Sequence, residues 1–75
     1  MSKLYLTLKF KFYRTGKGWT QQQMADYLSV GMDKSVSRSA IQKWEQAHRT
    51  IEPVDAMRIS ELTGISYKDL VERKQ

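Results

Sequence analysis

The run Ser37-Arg38-Ser39-Ala40-Ile41-Gln42-Lys43-Trp44-Glu45-Gln46 constrains this chain more than any other stretch. Ser37 is a good N-cap, able to accept a hydrogen bond from an orphan amide at a helix start. Ile41 and Trp44 are three residues apart, share one helix face, and must be buried against other elements. Arg38, Ser39, Gln42 and Lys43 fall on the remaining faces, and no acid interrupts them before Glu45. A short helix with one apolar stripe and a donor-rich exposed surface suits the major groove of duplex DNA.

Such a helix needs a body to anchor it. The 75 residues allow one domain, residues 1–75, with one core. A chain of this size buries only ~60–65% of its unfolded surface, so its stability is modest. It has no cysteine, which excludes disulfides and thiolate metal sites and suits the cytoplasm. No apolar run approaches the ~20 residues that span a bilayer. Lys3, Lys9 and Lys11 break up the first apolar stretch, contrary to a signal peptide. The net charge of +5 is unevenly placed: residues 1–49 hold nine Lys/Arg against three acids, residues 50–75 four against five. The basic excess thus accompanies the central helix and points to a polyanionic partner, most commonly nucleic acid. The alternative is a basic surface that only aids solubility.

In chain order, Leu4, Leu6, Leu8, Phe10 and Phe12 alternate with polar residues or tyrosine, the period of a half-buried strand. The same stretch also allows a helix with Leu6, Phe10 and Tyr13 as its inner stripe. No second strand pattern follows, so a strand here would need a partner from another chain. Arg14-Thr15-Gly16-Lys17-Gly18 closes the segment as a cap and turn. Thr20 and Gln23 form a capping box for a helix over Trp19–Leu28, with Trp19 as a staple on Met24 and with Met24, Tyr27 and Leu28 facing inward. Ser29 to Val36 reads as a loop of turn-forming residues, and Lys34 within it as solvated or within reach of a phosphate. Ala47 to Glu52 is a connector. Pro53 starts a helix with Val54, Met57, Ile59 and Leu62 as its apolar face, which Gly64 ends. Ser66 caps a last short helix, and Glu72-Arg73-Lys74-Gln75 reads as a polar frayed tail. The expectation is an all-α, compact five-helix domain.

Trp19-Thr20-Gln21-Gln22-Gln23-Met24-Ala25, then Val36-Ser37-Arg38-Ser39-Ala40-Ile41-Gln42-Lys43-Trp44-Glu45, then Pro53 and Leu62-Thr63-Gly64-Ile65-Ser66, resemble the Cro/CI-type (XRE-like) helix-turn-helix family of phage and mobile-element repressors. The resemblance runs from about Lys9 to Leu70. It implies a lambda-repressor-like fold whose second and third helices form the DNA-binding unit, and it favours helix for the first segment. Arg14 matches the family's arginine at the end of helix one and Glu45 the glutamate it pairs with, implying a structural ion pair that also turns Arg14 toward a phosphate. Gln21 matches a glutamine that touches the DNA backbone. Ser37, Arg38, Ser39, Gln42 and Lys43 match positions that face the groove. Arg38 is then suited to guanine, Gln42 to adenine, and Ser39 to a base edge or a phosphate. Ser37, Lys43, Lys17 and Arg49 are left as backbone contacts that position the domain without reading sequence. Extra residues between Leu28 and Ser37 depart from the family's short turn; they either lengthen the second helix or form a wing.

Against these sharp readings stand plainer ones: Arg38 and Gln42 as ordinary exposed helix residues, Trp19 and Trp44 as core, and His48 as a lone loop histidine with no second metal ligand. No nucleophile–base arrangement, carboxylate pair or phosphate loop suggests an enzyme, and no cofactor is expected. The expectation is a cytoplasmic, sequence-specific regulator of double-stranded DNA, a repressor or Cro-like protein acting by operator occlusion. It is expected to be a homodimer at least on DNA, through Ile65, Tyr67 and Leu70 or through Leu4–Leu8. The rival is an antitoxin or anti-repressor that uses the same fold to bind a protein.

Overall fold

In the computed structural model, which describes residues 3–74, the first segment is both of the things its pattern allowed. Lys3–Leu6 is a strand, β1, with Leu4 and Leu6 buried. Leu8–Gly16 is a helix, α1, with Phe10 buried and Tyr13 half-buried. Thr7 is the joint. Its amide donates to the Leu70 carbonyl at 2.8 Å and its hydroxyl to the Asp69 carbonyl at 2.7 Å, so the chain changes from pleat to helix where it is tied to a distant segment.

That distant segment supplies the missing strand. Gln21–Met32 forms α2, Arg38–Glu45 α3, Pro53–Thr63 α4 and Tyr67–Leu70 α5, and Val71–Lys74 follows as β2. β2 pairs antiparallel with β1, in the register Lys3↔Lys74, Leu4↔Arg73, Tyr5↔Glu72 and Leu6↔Val71. The expected five-helix, lambda-repressor-like fold holds, with a small two-stranded sheet added to it, and the expectation of a frayed tail is corrected. Gln75 lies outside the described residues. Only Val71 in β2 is buried, and its three charged neighbours are exposed, so the strand has almost no apolar alternation to betray it. Its pairing comes from the tertiary fold.

Helix α2 opens on the expected capping box, with Thr20 Oγ1 accepting from the Gln23 amide at 3.1 Å and Gln23 Oε1 from the Thr20 amide at 2.8 Å. It then runs to Met32, further than a loop over Ser29 to Val36 would allow, so the extra residues lengthen the second helix. It stops at Asp33, which takes the left-handed conformation (φ 54°) that Asp tolerates better than most residues. Ser29 Oγ then accepts from the Val36 amide at 2.9 Å, so the turn folds back on the helix it leaves. Gly31 is a packing glycine here, since a Cβ would stand 2.5 Å from a Leu62 methyl of α4.

Helix α4 buries the second half of the expected face, Ile59 and Leu62, but not the first, Val54 and Met57. Ala56 and Ile59 are inside and Leu62 is half-buried, while Val54 and Met57 are exposed. Both pairs have i, i+3 spacing, so periodicity offers two stripes; the one carrying the small Ala56 faces the core. Phe10, Met24, Leu28, Ile41, Ile59 and Leu70 are the largest fully buried side chains. Phe10 meets Trp44 edge-on at 6.2 Å, an orientation aromatic quadrupoles favour. Tyr27 donates its hydroxyl to the Leu62 carbonyl at 2.6 Å, which ties α2 to α4. Burial first, and Tyr13 second, push the pKa of that hydroxyl above the usual tyrosine range.

Leu4, Leu6 and Leu70 all belong to this core. The surfaces expected to join two copies are therefore largely spent within one copy, with Ile65 and Tyr67 also packed against it.

Candidate nucleic-acid interface

Helix α3 begins where Ser37 Oγ accepts from the Ala40 amide at 3.1 Å, the side-chain cap its sequence position suggests. Ala40, Ile41 and Trp44 are buried. Arg38, Ser39, Gln42 and Lys43 are all exposed. The four form two parallel ridges, Arg38 with Gln42 and Ser39 with Lys43, each pair four residues apart on one side of the helix. Among the described residues neither Arg38 nor Lys43 is in an ion pair, so both charges are available to a partner.

The far end of α3 is clamped. Arg14, on α1, donates from Nε to Glu45 Oε2 at 2.6 Å and from Nη2 to Oε1 at 3.1 Å, a two-pronged bond. Its Nη1 reaches the Trp19 carbonyl at 2.9 Å. Gln21, at the first turn of α2, adds a bond from Nε2 to Glu45 Oε1 at 3.2 Å. One carboxylate thus gathers α1, α2 and α3, and fixes the angle at which the exposed ridges leave the body. The Arg14 guanidinium faces this carboxylate and a carbonyl, and Gln21 has one amide hydrogen engaged in the same cluster. That triangle crosses 24 to 31 residues of sequence, and the Gln21 edge of it has no local signature.

The remaining cations surround the ridge. Lys17 lies in the turn between α1 and α2, its ammonium 5.4 Å from the Tyr13 ring centre and 6.0 Å from that of Trp19. Arg49 follows α3, its guanidinium 5.5 Å from the Trp44 ring centre. Lys34 is exposed, as expected, but not unpartnered. It pairs with Asp55 of α4 at 2.8 Å, beside a shallow niche that Ser37 and Arg49 also line. Sequence reasoning missed this pair, because 21 residues separate its members and neither sits in a recognisable pattern. His48 is exposed, and no cluster of metal-ligating side chains occurs among the described residues.

Within the described residues, no helix is long and apolar enough to cross a membrane. Among curated proteins and among solved structures nothing matches this chain. The helix-turn-helix family profile does match, over residues 10–70, which runs from within α1 to the end of α5 and leaves out the strands. With the capped α2, the exposed ridge of α3 and the clamp between them, the chain belongs to the Cro/CI-type helix-turn-helix family, whose members bind DNA and are not enzymes.

Proposed function

We propose that this protein is a sequence-specific transcriptional regulator of double-stranded DNA, a repressor or Cro-like protein that acts by covering an operator and blocking polymerase. The observation that carries the reading is the pairing of an exposed donor ridge with a rigid base. Arg38 and Gln42 stand in solvent directly above the buried Ile41 and Trp44, on a helix whose far end is held by Glu45.

In this mechanism α3 lies in the major groove. Arg38 donates two bonds to O6 and N7 of guanine, Gln42 exchanges a donor and an acceptor with adenine, and Ser39 bonds a neighbouring edge. Ser37, Lys43, Lys17, Arg49 and Gln21 hold phosphates and set the register. Arg14 acts as a positioning residue, through Glu45, rather than as a phosphate contact in its own right. One small domain makes few base contacts, so a homodimer reads two half-sites about one DNA turn, ~34–36 Å, apart. The family's likeness to regulators of phages and mobile elements supports such an origin, and DNA as partner supports a cytoplasmic site of action.

Selection of bound sequences from random duplexes tests this. The expected result is a two-fold symmetric consensus, lost in R38A and Q42A. With about eight phosphates neutralised, log K should fall against log salt with a slope near −7. A slope flatter than about −3, or a biological function indifferent to both substitutions, would favour a protein-binding role instead.

A further inference from the structure

The family match stops short of both strands, yet the strands carry charge that the fold leaves unanswered. The register sets Lys3 directly opposite Lys74 and Leu4 opposite Arg73, so three cations meet at the open end of the ribbon. Like charges facing each other across two strands weaken the pairing. Lys74 has relief, from Glu72 at 3.5 Å and from the Tyr5 ring, whose centre is 5.4 Å away. Lys3 and Arg73 are exposed, and neither is in an ion pair among the described residues. Both line a cleft of about 350 Å³ whose far wall is the connector at residues 50–53. We propose that this cleft receives the phosphodiester backbone of the duplex, beside the stretch that α3 reads. The presence of a duplex rests on the regulator reading above; the contact added to it comes from the strands.

Sign and place both select that occupant. The cleft is lined by two cations and one acid, Glu52. Glu52 is the N-cap of α4, where the helix dipole already compensates a carboxylate, so it leaves the two cations uncancelled. An anion between Lys3 and Arg73 also screens the repulsion built into the ribbon end, and the fold gains what the free chain lacks. As for place, the Ile51 amide donates to the Leu4 carbonyl at 2.9 Å, so the ribbon lies against the connector that leaves α3. Arg49, already read as a backbone contact, stands two residues before Ile51, at most ~7 Å away along the chain. A duplex carries one charge per ~1.7 Å of its axis, so a strand held at Arg49 offers further phosphates over that distance. Contacts of this kind raise affinity and set register without reading a base.

The salt dependence of binding to a duplex recovered by selection tests the assignment. K3Q, R73Q and R73K are set beside K68Q, which removes a charge from α5, outside the cleft. All four are at exposed positions, and circular dichroism verifies each fold. K3Q and R73Q are each expected to flatten the slope of log K against log salt by about 0.9 for every copy bound. R73K, which keeps the charge, and K68Q should hold the wild-type slope to within about 0.3. The selected consensus should be the same in every variant, because a backbone contact carries no sequence information. Slopes unchanged in K3Q and R73Q, beside a wild type that selects a duplex, would overturn the cleft contact and leave the regulator reading standing. An equal flattening in K68Q would overturn it too, since net charge rather than position would then be at work. A wild type that selects no duplex would sink the regulator reading and this contact together.

Discussion

The Arg14–Glu45 pair, with side chains 13% and 4% exposed, and the Lys34–Asp55 pair, at 50% and 20%, bracket α3 from opposite ends. Their chemistry is alike: a long cation meets a carboxylate at under 3 Å. Their surroundings are not. Glu45 is out of water and bonded by two side chains from two other helices, so removing either Arg14 or Glu45 strands a charge that solvent reaches poorly. Lys34 and Asp55 keep their access to water and lose little when parted. The buried pair therefore fixes geometry, and the exposed pair sits beside the niche at the start of α3.

The contrast is most sharply broken by E45A. It leaves Arg14 partly buried without a counter-charge and should cost about 3–5 kcal/mol in urea unfolding, a large share of a small domain's stability. R14M combined with E45L should recover much of that loss, since an apolar pair of similar volume replaces a buried ion pair at little cost; a double variant as unstable as E45A would show that packing rather than charge dominates there. Next in size is R38A, expected to weaken operator binding by about 1–3 kcal/mol while leaving the melting curve in place, because the ridge touches solvent and not the core. S37A should lower stability by about 1 kcal/mol through loss of the bond to the Ala40 amide, measured in the same unfolding assay. K34A is the smallest, within about 1 kcal/mol of wild type. If K34A proved as damaging as E45A, burial would not be what separates the two pairs.

Local chemistry made some parts of this molecule readable before any coordinates. Thr20 with Gln23, and Ser37 ahead of Ile41 and Trp44, carry their instructions within one or two helical turns, and both helices begin where those residues place them. Non-local chemistry hid the others. Val54 and Met57 look as buriable as Ala56 and Ile59, and only the position of neighbouring helices chooses between the stripes. The end of α2 was obscured by Gly31, whose residue type suggests a turn although here it admits Leu62. β2 gave no signal, because a strand of Val71 and three charged residues is defined by what lies alongside it. On the α3 face, exposure of Arg38, Ser39, Gln42 and Lys43 followed from helical spacing; the network that orients the face joins residues from three helices.

The pairing of Lys3 with Lys74 has a kinetic consequence. Helices assemble from neighbours along the chain, but this ribbon joins segments separated by nearly the whole sequence, so the entropy of closing that loop must be met before its bonds can form. It is thus expected to close after the helices have docked. The Thr7 tether to Leu70 and the bond from the Ile51 amide to the Leu4 carbonyl flank the same ribbon, so the three together hold that end of the molecule.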